Sequence, residues 1–199
     1  MHRTTLFIIA ALAACDGGVP DADRNTAAAD RTTVQAMAAD TIQPAADSLV
    51  AVAHLRDTAG RAAGEVRLMQ RGSVVVVHVE ARRLAPGAHG IHVHETGACE
   101  RGREAFASAG AHLNPRDVEH GLHAPSDGHA GDLPNIQIDE DGTGSLRFET
   151  AGLSIGTRAG EIFDRDGSAL VIHADPDDQR TDPSGNSGAR VACGVLTPA

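Results

Sequence analysis

The chain is 199 residues long, enough for one domain with a leader or tail and for burial of a real core. With four Phe and no Trp or Tyr, that core must come from Val, Leu, Ile and Ala, and all 17 basic residues are Arg. A formal net charge of -10 excludes a general nucleic-acid binder, and an anionic substrate would need a local basic feature to approach.

Residues 1–15 read as an export signal, with His2 and Arg3 as the basic start, an apolar run from Leu6 to Ala14, and Cys15 at its end. The run is too short to span a bilayer, which takes about 20 apolar residues as a helix. Leu12-Ala13-Ala14-Cys15 resembles the bacterial lipoprotein cleavage box, which implies a lipidated Cys15 and a membrane-anchored place in the cell envelope or periplasm. If Cys15 carries lipid, Cys99 and Cys193 remain to pair. The competing reading is a soluble exported protein cleaved after Ala14, with a spare thiol. Residues 16–48 are Ala, Asp and Thr with no lasting apolar period, so they cannot bury enough surface to offset their ordering entropy. A flexible tether is expected there, against the alternative of a short Ala-rich helix.

Residues 49–199 form the expected folded domain. Period-two alternation and turn residues predict eight strands: Leu49 to Arg56, Gly64 to Gln70, Ser73 to Ala81, Gly90 to Glu95, Asn135 to Asp139, Gly144 to Thr150, Ser168 to Ala174 and Arg190 to Leu196. Arg71-Gly72, Pro86-Gly87, Asp141-Gly142 and Asp166-Gly167 supply the glycines of tight reversals. Short strands at this spacing predict an all-β, eight-stranded Greek-key sandwich or barrel of immunoglobulin-like type. Two long connections, Thr96 to Pro134 and Asp175 to Ala189, interrupt the rhythm, and loops of such length are usually functional or disordered.

Function concentrates between Ala88 and Asp132, where seven of the eleven histidines fall. In Gly90-Ile91-His92-Val93-His94-Glu95 the alternation marks a half-buried strand with His92 and His94 on one face. Alone, that pair is more often solvated than metal-binding. His112, His120, His129 and Asp132 add three nitrogens and an oxygen, a set suited to tetrahedral zinc. His173 ends the apolar run Ala169-Leu170-Val171-Ile172, where a buried imidazole needs a partner. With His92, His94 and His112 it makes a four-imidazole set that favours Cu(II). His112 belongs to both sets, because a deprotonated imidazole offers two nitrogens and can bridge two metals.

These segments, with Ser108-Ala109-Gly110-Ala111-His112-Leu113-Asn114-Pro115, Glu119-His120-Gly121, His129-Ala130-Gly131-Asp132-Leu133-Pro134, Val171-Ile172-His173 and Gly188-Ala189-Arg190-Val191-Ala192-Cys193-Gly194, resemble the signatures of copper-zinc superoxide dismutase, in the family's order. The resemblance implies copper on His92, His94, His112 and His173, and zinc on His112, His120, His129 and Asp132, one ion of each per subunit. It implies Arg190 as the anion-guiding residue beside copper, His112 as proton carrier, and a disulfide between Cys99 and Cys193. Asp177 would hold a copper histidine and a zinc histidine in place. The implied reaction is dismutation of superoxide to dioxygen and hydrogen peroxide through a Cu(II)/Cu(I) cycle. Glu100 to Phe106 lengthens the approach to Ser108 as in the bacterial branch, and the Asp175 to Ala189 loop is short and lysine-free, with Arg180 its only base before Arg190. Arg180 and His123 are expected at the surface, His89 in backbone bonding across the loops, and His54 and His78 on strands without metal. Two other readings stay open: a copper/zinc-binding lipoprotein of the same fold without turnover, and a structural sandwich with one zinc. Monomer or homodimer is left undecided.

Overall fold

The computed structural model describes residues 48–156 and 160–199, so the expected signal, Cys15 and the tether up to residue 47 lie outside the described residues. β1 (Ser48–Asp57), β2 (Ala62–Arg71) and β3 (Val74–Arg82) form two successive hairpins. Along them Ala53, Leu55, Val66, Leu68, Val77 and Val79 turn to one side and are buried, while His54, Arg56, Arg67 and Glu80 on the other side are exposed. This is the pattern of a sheet with one wet face. Gly72 (φ 57°) and Gly142 (φ 80°) close the tight turns in the left-handed region, where a side chain would be strained.

β4 (Gly87–His89), β5 (Ile91–His94), β6 (Ile136–Ile138), β7 (Thr143–Thr150), β8 (Ala169–His173), β9 (Arg190–Val195) and β10 (Thr197–Pro198) complete the strands. Eight of the ten make one antiparallel sheet in the order β5-β8-β9-β1-β2-β3-β7, with β10 also on β1, curled into a half-barrel. The remaining pair, β4 and β6, forms a two-stranded ribbon. β9, late in the chain, returns to lie beside β1, and β5 pairs with β8, which is the crossover expected of a Greek key.

β8 is buried on both faces. Leu170 and Ile172 enter the main core with Leu55, Val93, Leu133 and Ile136, whereas Ala169 and Val171 enter a smaller one with Phe106, Ala109 and Cys193. That smaller cluster sits under the disulfide joining Cys99 to Cys193. The main core is aliphatic, as the composition requires; Phe148 and Phe163 only pack against its margin.

All eight expected strands form, with no end moved by more than two residues. β4 and β10 were not expected, because three and two residues are too short to show a period and Pro86-Gly87 read as a turn. The expected half-buried character of β5 is corrected: Ile91, His92, Val93 and His94 are all fully buried. The reason is that a loop covers the histidine face.

Candidate metal centre

β8 occupies one edge of β5, and the long loop occupies the other as if it were a strand. Glu95 N donates to Ala111 O (3.0 Å), Leu113 N to Val93 O (2.9 Å), Val93 N to Gly131 O (2.9 Å) and Gly131 N to Leu113 O (3.0 Å). A β-carbon on Gly131 would lie 2.1 Å from Val93 O, so glycine is required for this approach. The ladder sets His112 opposite His94 and Asp132 opposite His92. His173 arrives from the neighbouring strand, since Ile172 pairs with Ile91.

Each ring then has one nitrogen committed and one free. His92 Nε2 donates to Asp177 Oδ2 (2.7 Å), His94 Nδ1 to Gly110 O (3.0 Å) and His173 Nδ1 to Gly188 O (3.3 Å). His92 Nδ1, His94 Nε2, His112 Nε2 and His173 Nε2 are buried with no hydrogen-bond partner. Four such orphans would each cost about 1–3 kcal/mol, yet here they converge, the ligand atoms of the set lying within 4.8 Å of one another. A metal ion accounts for all four at once.

On the other side of His112, the Nδ1 atoms of His112, His120 and His129 lie 3.1, 3.0 and 3.3 Å from Asp132 Oδ1. Asp132 Oδ2 is held by the N–H groups of Gly121 (2.8 Å) and His129 (3.0 Å). His120 Nε2 reaches Asp177 Oδ1 (3.0 Å) and His129 Nε2 donates to Val118 O (3.1 Å). Three imidazoles and a carboxylate, with the far atoms of His120, His129 and Asp132 fixed by outer partners and that of His112 turned to the other set, suit tetrahedral zinc, and four imidazoles suit copper.

Electrostatics differ across the bridge. Burial lowers His94 to about 2, His173 to about 3 and His112 to about 4, and pushes His92 down as well, so these rings are neutral and able to ligate. Burial also opposes charge on His120, but Asp132 and Asp177 outweigh it and raise that ring to about 9. Burial would raise Asp132 and Asp177, yet the hydrogen bonds from His120 and its neighbours hold both well below the usual carboxylate range.

The structure brings every expected ligand into one of the two clusters, with His112 in both. Asp177 bridges His92 to His120. Half-buried Arg190 donates from Nη1 to Phe106 O and from Nη2 to Gly110 O, both at 2.6 Å, so it shares the Gly110 carbonyl with His94. His89 faces His173 O (2.6 Å) and Ala85 O (2.8 Å), tying backbone across the loops. His123, Arg180 and His54 are exposed and His78 is half-buried, and all four lie outside both clusters.

Sequence reasoning missed Asn135, whose amide donates to Asp177 O (2.9 Å) and accepts from Asp177 N (2.8 Å), fixing the carboxylate that orients two rings. It also missed the carbonyls of Phe106, Gly110, Val118 and Gly188. An Asn at a strand entrance and a backbone oxygen carry no pattern that separates them from turn chemistry.

The copper/zinc superoxide dismutase (SODC) family pattern matches residues 62–196. The chain is 40% identical over 152 residues to superoxide dismutase [Cu-Zn] 2 of Aquifex aeolicus, covering 74% of this chain and 86% of that protein. It is 37% identical over 139 residues to the extracellular superoxide dismutase [Cu-Zn] of Haemonchus contortus, covering 67% and 72% of the two chains. The crystal structure of a SOD-like protein from Bacillus subtilis superposes with a TM-score of 0.68 at 38% identity, covering 73% of this chain and 97% of that one. With its fold, its two histidine clusters and these relatives in agreement, this chain belongs to the copper/zinc superoxide dismutase family.

Proposed function

We propose that the protein dismutes superoxide: two superoxide anions and two protons become dioxygen and hydrogen peroxide. The observation that carries this is the pair of buried clusters sharing His112, with four ring nitrogens on one side left without any other partner. His92, His94, His112 and His173 would hold copper, which supplies one-electron redox chemistry between Cu(II) and Cu(I); His112, His120, His129 and Asp132 would hold zinc, which does not change oxidation state.

The chain's own residues do the rest. Arg190 attracts and orients the anion, its guanidinium fixed by the carbonyls of Phe106 and Gly110. His112 Nε2 takes a proton in one half of the cycle and delivers it to the second superoxide. Asp132 keeps that ring aligned through Nδ1. Asp177, positioned by Asn135, keeps His92 and His120 from rotating.

The disulfide supports export, since such bonds persist in oxidising compartments. We assign the mature chain to the cell envelope, anchored by lipid on Cys15, with superoxide as its substrate. Cys15→Ser should release it to the soluble fraction without changing the enzyme.

Full chain loaded with both metals should bind one copper and one zinc and accelerate superoxide decay catalytically. Copper bound in the histidine quartet without turnover would favour instead a copper-carrying role, a reading that a relative described only as SOD-like keeps in view. Arg190 argues against it, because a carrier of metal cations has no use for a cation fixed beside the copper set.

A further inference from the structure

We infer that Phe106 is a positioning residue: its buried ring locks a left-handed stretch of backbone whose carbonyl aims Arg190 beside the copper set. The inference rests on the anion-guiding role of Arg190 proposed above and extends it to what holds that guanidinium still.

Glu100 to Phe106, the stretch that lengthens the approach from Cys99 to Ser108, folds back on itself. Phe106 N donates to Glu100 O (2.7 Å), and Glu100 N donates to Ser108 Oγ (2.8 Å). A single 3₁₀ turn, Ala107–Ala109, follows, flanked by Phe106 and Gly110 at positive φ, 62° and 75°. Arg190 spans this turn, because its two donors reach the carbonyls of the two flanking residues. The Phe106 carbonyl also accepts from Ala109 N (3.1 Å), and Thr96 N donates to Ala109 O (3.1 Å), which ties the turn to the chain just beyond β5.

A positive φ is unfavourable for a bulky side chain. Among the described residues, the other non-glycine residues with positive φ are Arg83, Asp117, Asp127, Gln179 and Asn186, all polar and none of them buried. Phe106 is the exception: it is 1% exposed and is one of the largest fully buried side chains. Its ring clusters with Ala169 and Val171 of β8 and with Cys193 of β9, the strands that also carry His173 and Arg190. Burial of the ring offsets the unfavourable angle, and that angle turns the carbonyl to Arg190. Glycine would adopt the angle freely, yet it would leave the turn without an anchor in the small core under the disulfide. The ring therefore links the disulfide region to the direction of the guanidinium without touching Arg190 through its side chain.

The test uses full-length, disulfide-intact protein loaded with copper and zinc, as the parent, Phe106→Ala, Phe106→Gly and Phe106→Leu. Two readouts are taken: the second-order rate of superoxide consumption, and the resolved, slowly exchanging Nη–H signals of Arg190 by nuclear magnetic resonance in the Cu(I) state. Phe106→Ala and Phe106→Gly should keep one copper and one zinc, lose the slow exchange and lower the rate by at least about threefold at unchanged net charge, since misplacement by about 1 Å can cost about 100-fold. Phe106→Leu, which refills the small core, should recover the signals and most of the rate. In an Arg190→Ala background, Phe106→Ala should lower the rate no further, because the residue acts through Arg190. Parent-like exchange and rate in Phe106→Gly, or a further fall in the Arg190→Ala background equal to that in the parent, would overturn the inference. Should Phe106→Ala fail to hold its metals, Phe106→Gly, whose backbone is unstrained at this angle, carries the same comparison. A parent that binds both metals and shows slow Arg190 exchange but does not consume superoxide would instead remove the proposed activity, and the exchange readout would still decide the role of Phe106.

Discussion

The two halves of the metal centre meet at His112 but are built on different principles. On the copper side, His92, His94 and His173 stand on β5 and β8, adjacent strands whose ladder fixes them before any ion arrives. On the zinc side, His120, His129 and Asp132 come from a loop and are held by a web of carboxylates and backbone groups. One half is preorganised by the sheet, whereas the other must be organised by charge and metal. Stability, metal dependence and pH response should therefore divide along this line.

The largest expected effect is on the tie between the halves. The Cys99–Cys193 disulfide closes a sequence separation of 94 residues and joins the loop to β9. Closing a loop of that order is worth up to about 4.7 kcal/mol in the chain-entropy model, and real bridges often give less. Reduction should speed zinc loss and expose the loop amides to hydrogen exchange while the amides of β1 to β3 stay protected. Equal loss of protection throughout would mean that the two halves are not separable.

Asp132→Ala should lower zinc affinity by about 10- to 100-fold and lower the melting temperature, with copper affinity largely kept. Metal analysis after dialysis against graded chelator reads both at once. Comparable loss of both metals would place the burden of Asp132 on the whole site.

Arg190→Glu should keep both metals and lower the second-order rate of superoxide consumption by at least about tenfold. It should also reverse the usual fall of rate with salt, because screening would now relieve repulsion. A rate and salt slope like the parent's, with copper bound, would exclude Arg190 as the guide.

The smallest effect is that of pH, to which the histidines of the metal-free halves should respond with opposite sign. His94, His112 and His173 are depressed below 6.5, so the unfolded chain binds more protons and stability falls as pH drops below about 6.5 toward their folded values. His120 is raised to about 9, so its contribution is complete below 6.5 and is lost as pH climbs through about 9. Urea midpoints of the chelated protein should peak near neutrality, and His120→Gln should flatten the alkaline limb alone. An alkaline limb that survives in that variant would assign it to another group.

Much of the fold is legible in the sequence. Alternation in β1, β2 and β3 comes from side chains that must face either core or water, and it marks those strands plainly. β4 and β10 escaped because a period cannot be read in two or three residues. In β5 the same alternation misled: His92 and His94 looked like the wet face, but the loop's backbone bonds to Val93 and Glu95 seal it. Chain crossings of that kind leave no mark on local hydropathy.

Residue types and their spacing mark which side chains gather in the two clusters and which strands carry half of them, because a metal site needs particular side-chain donors and a pleated strand repeats every two residues. The tertiary structure decided the chemistry of each donor. Which ring nitrogen is free depends on the carbonyls of Gly110, Val118 and Gly188 and on the carboxylate of Asp177. Where Arg190 points depends on the carbonyls of Phe106 and Gly110. Backbone oxygens are the same at every residue, so only the fold can say which of them meets which ring.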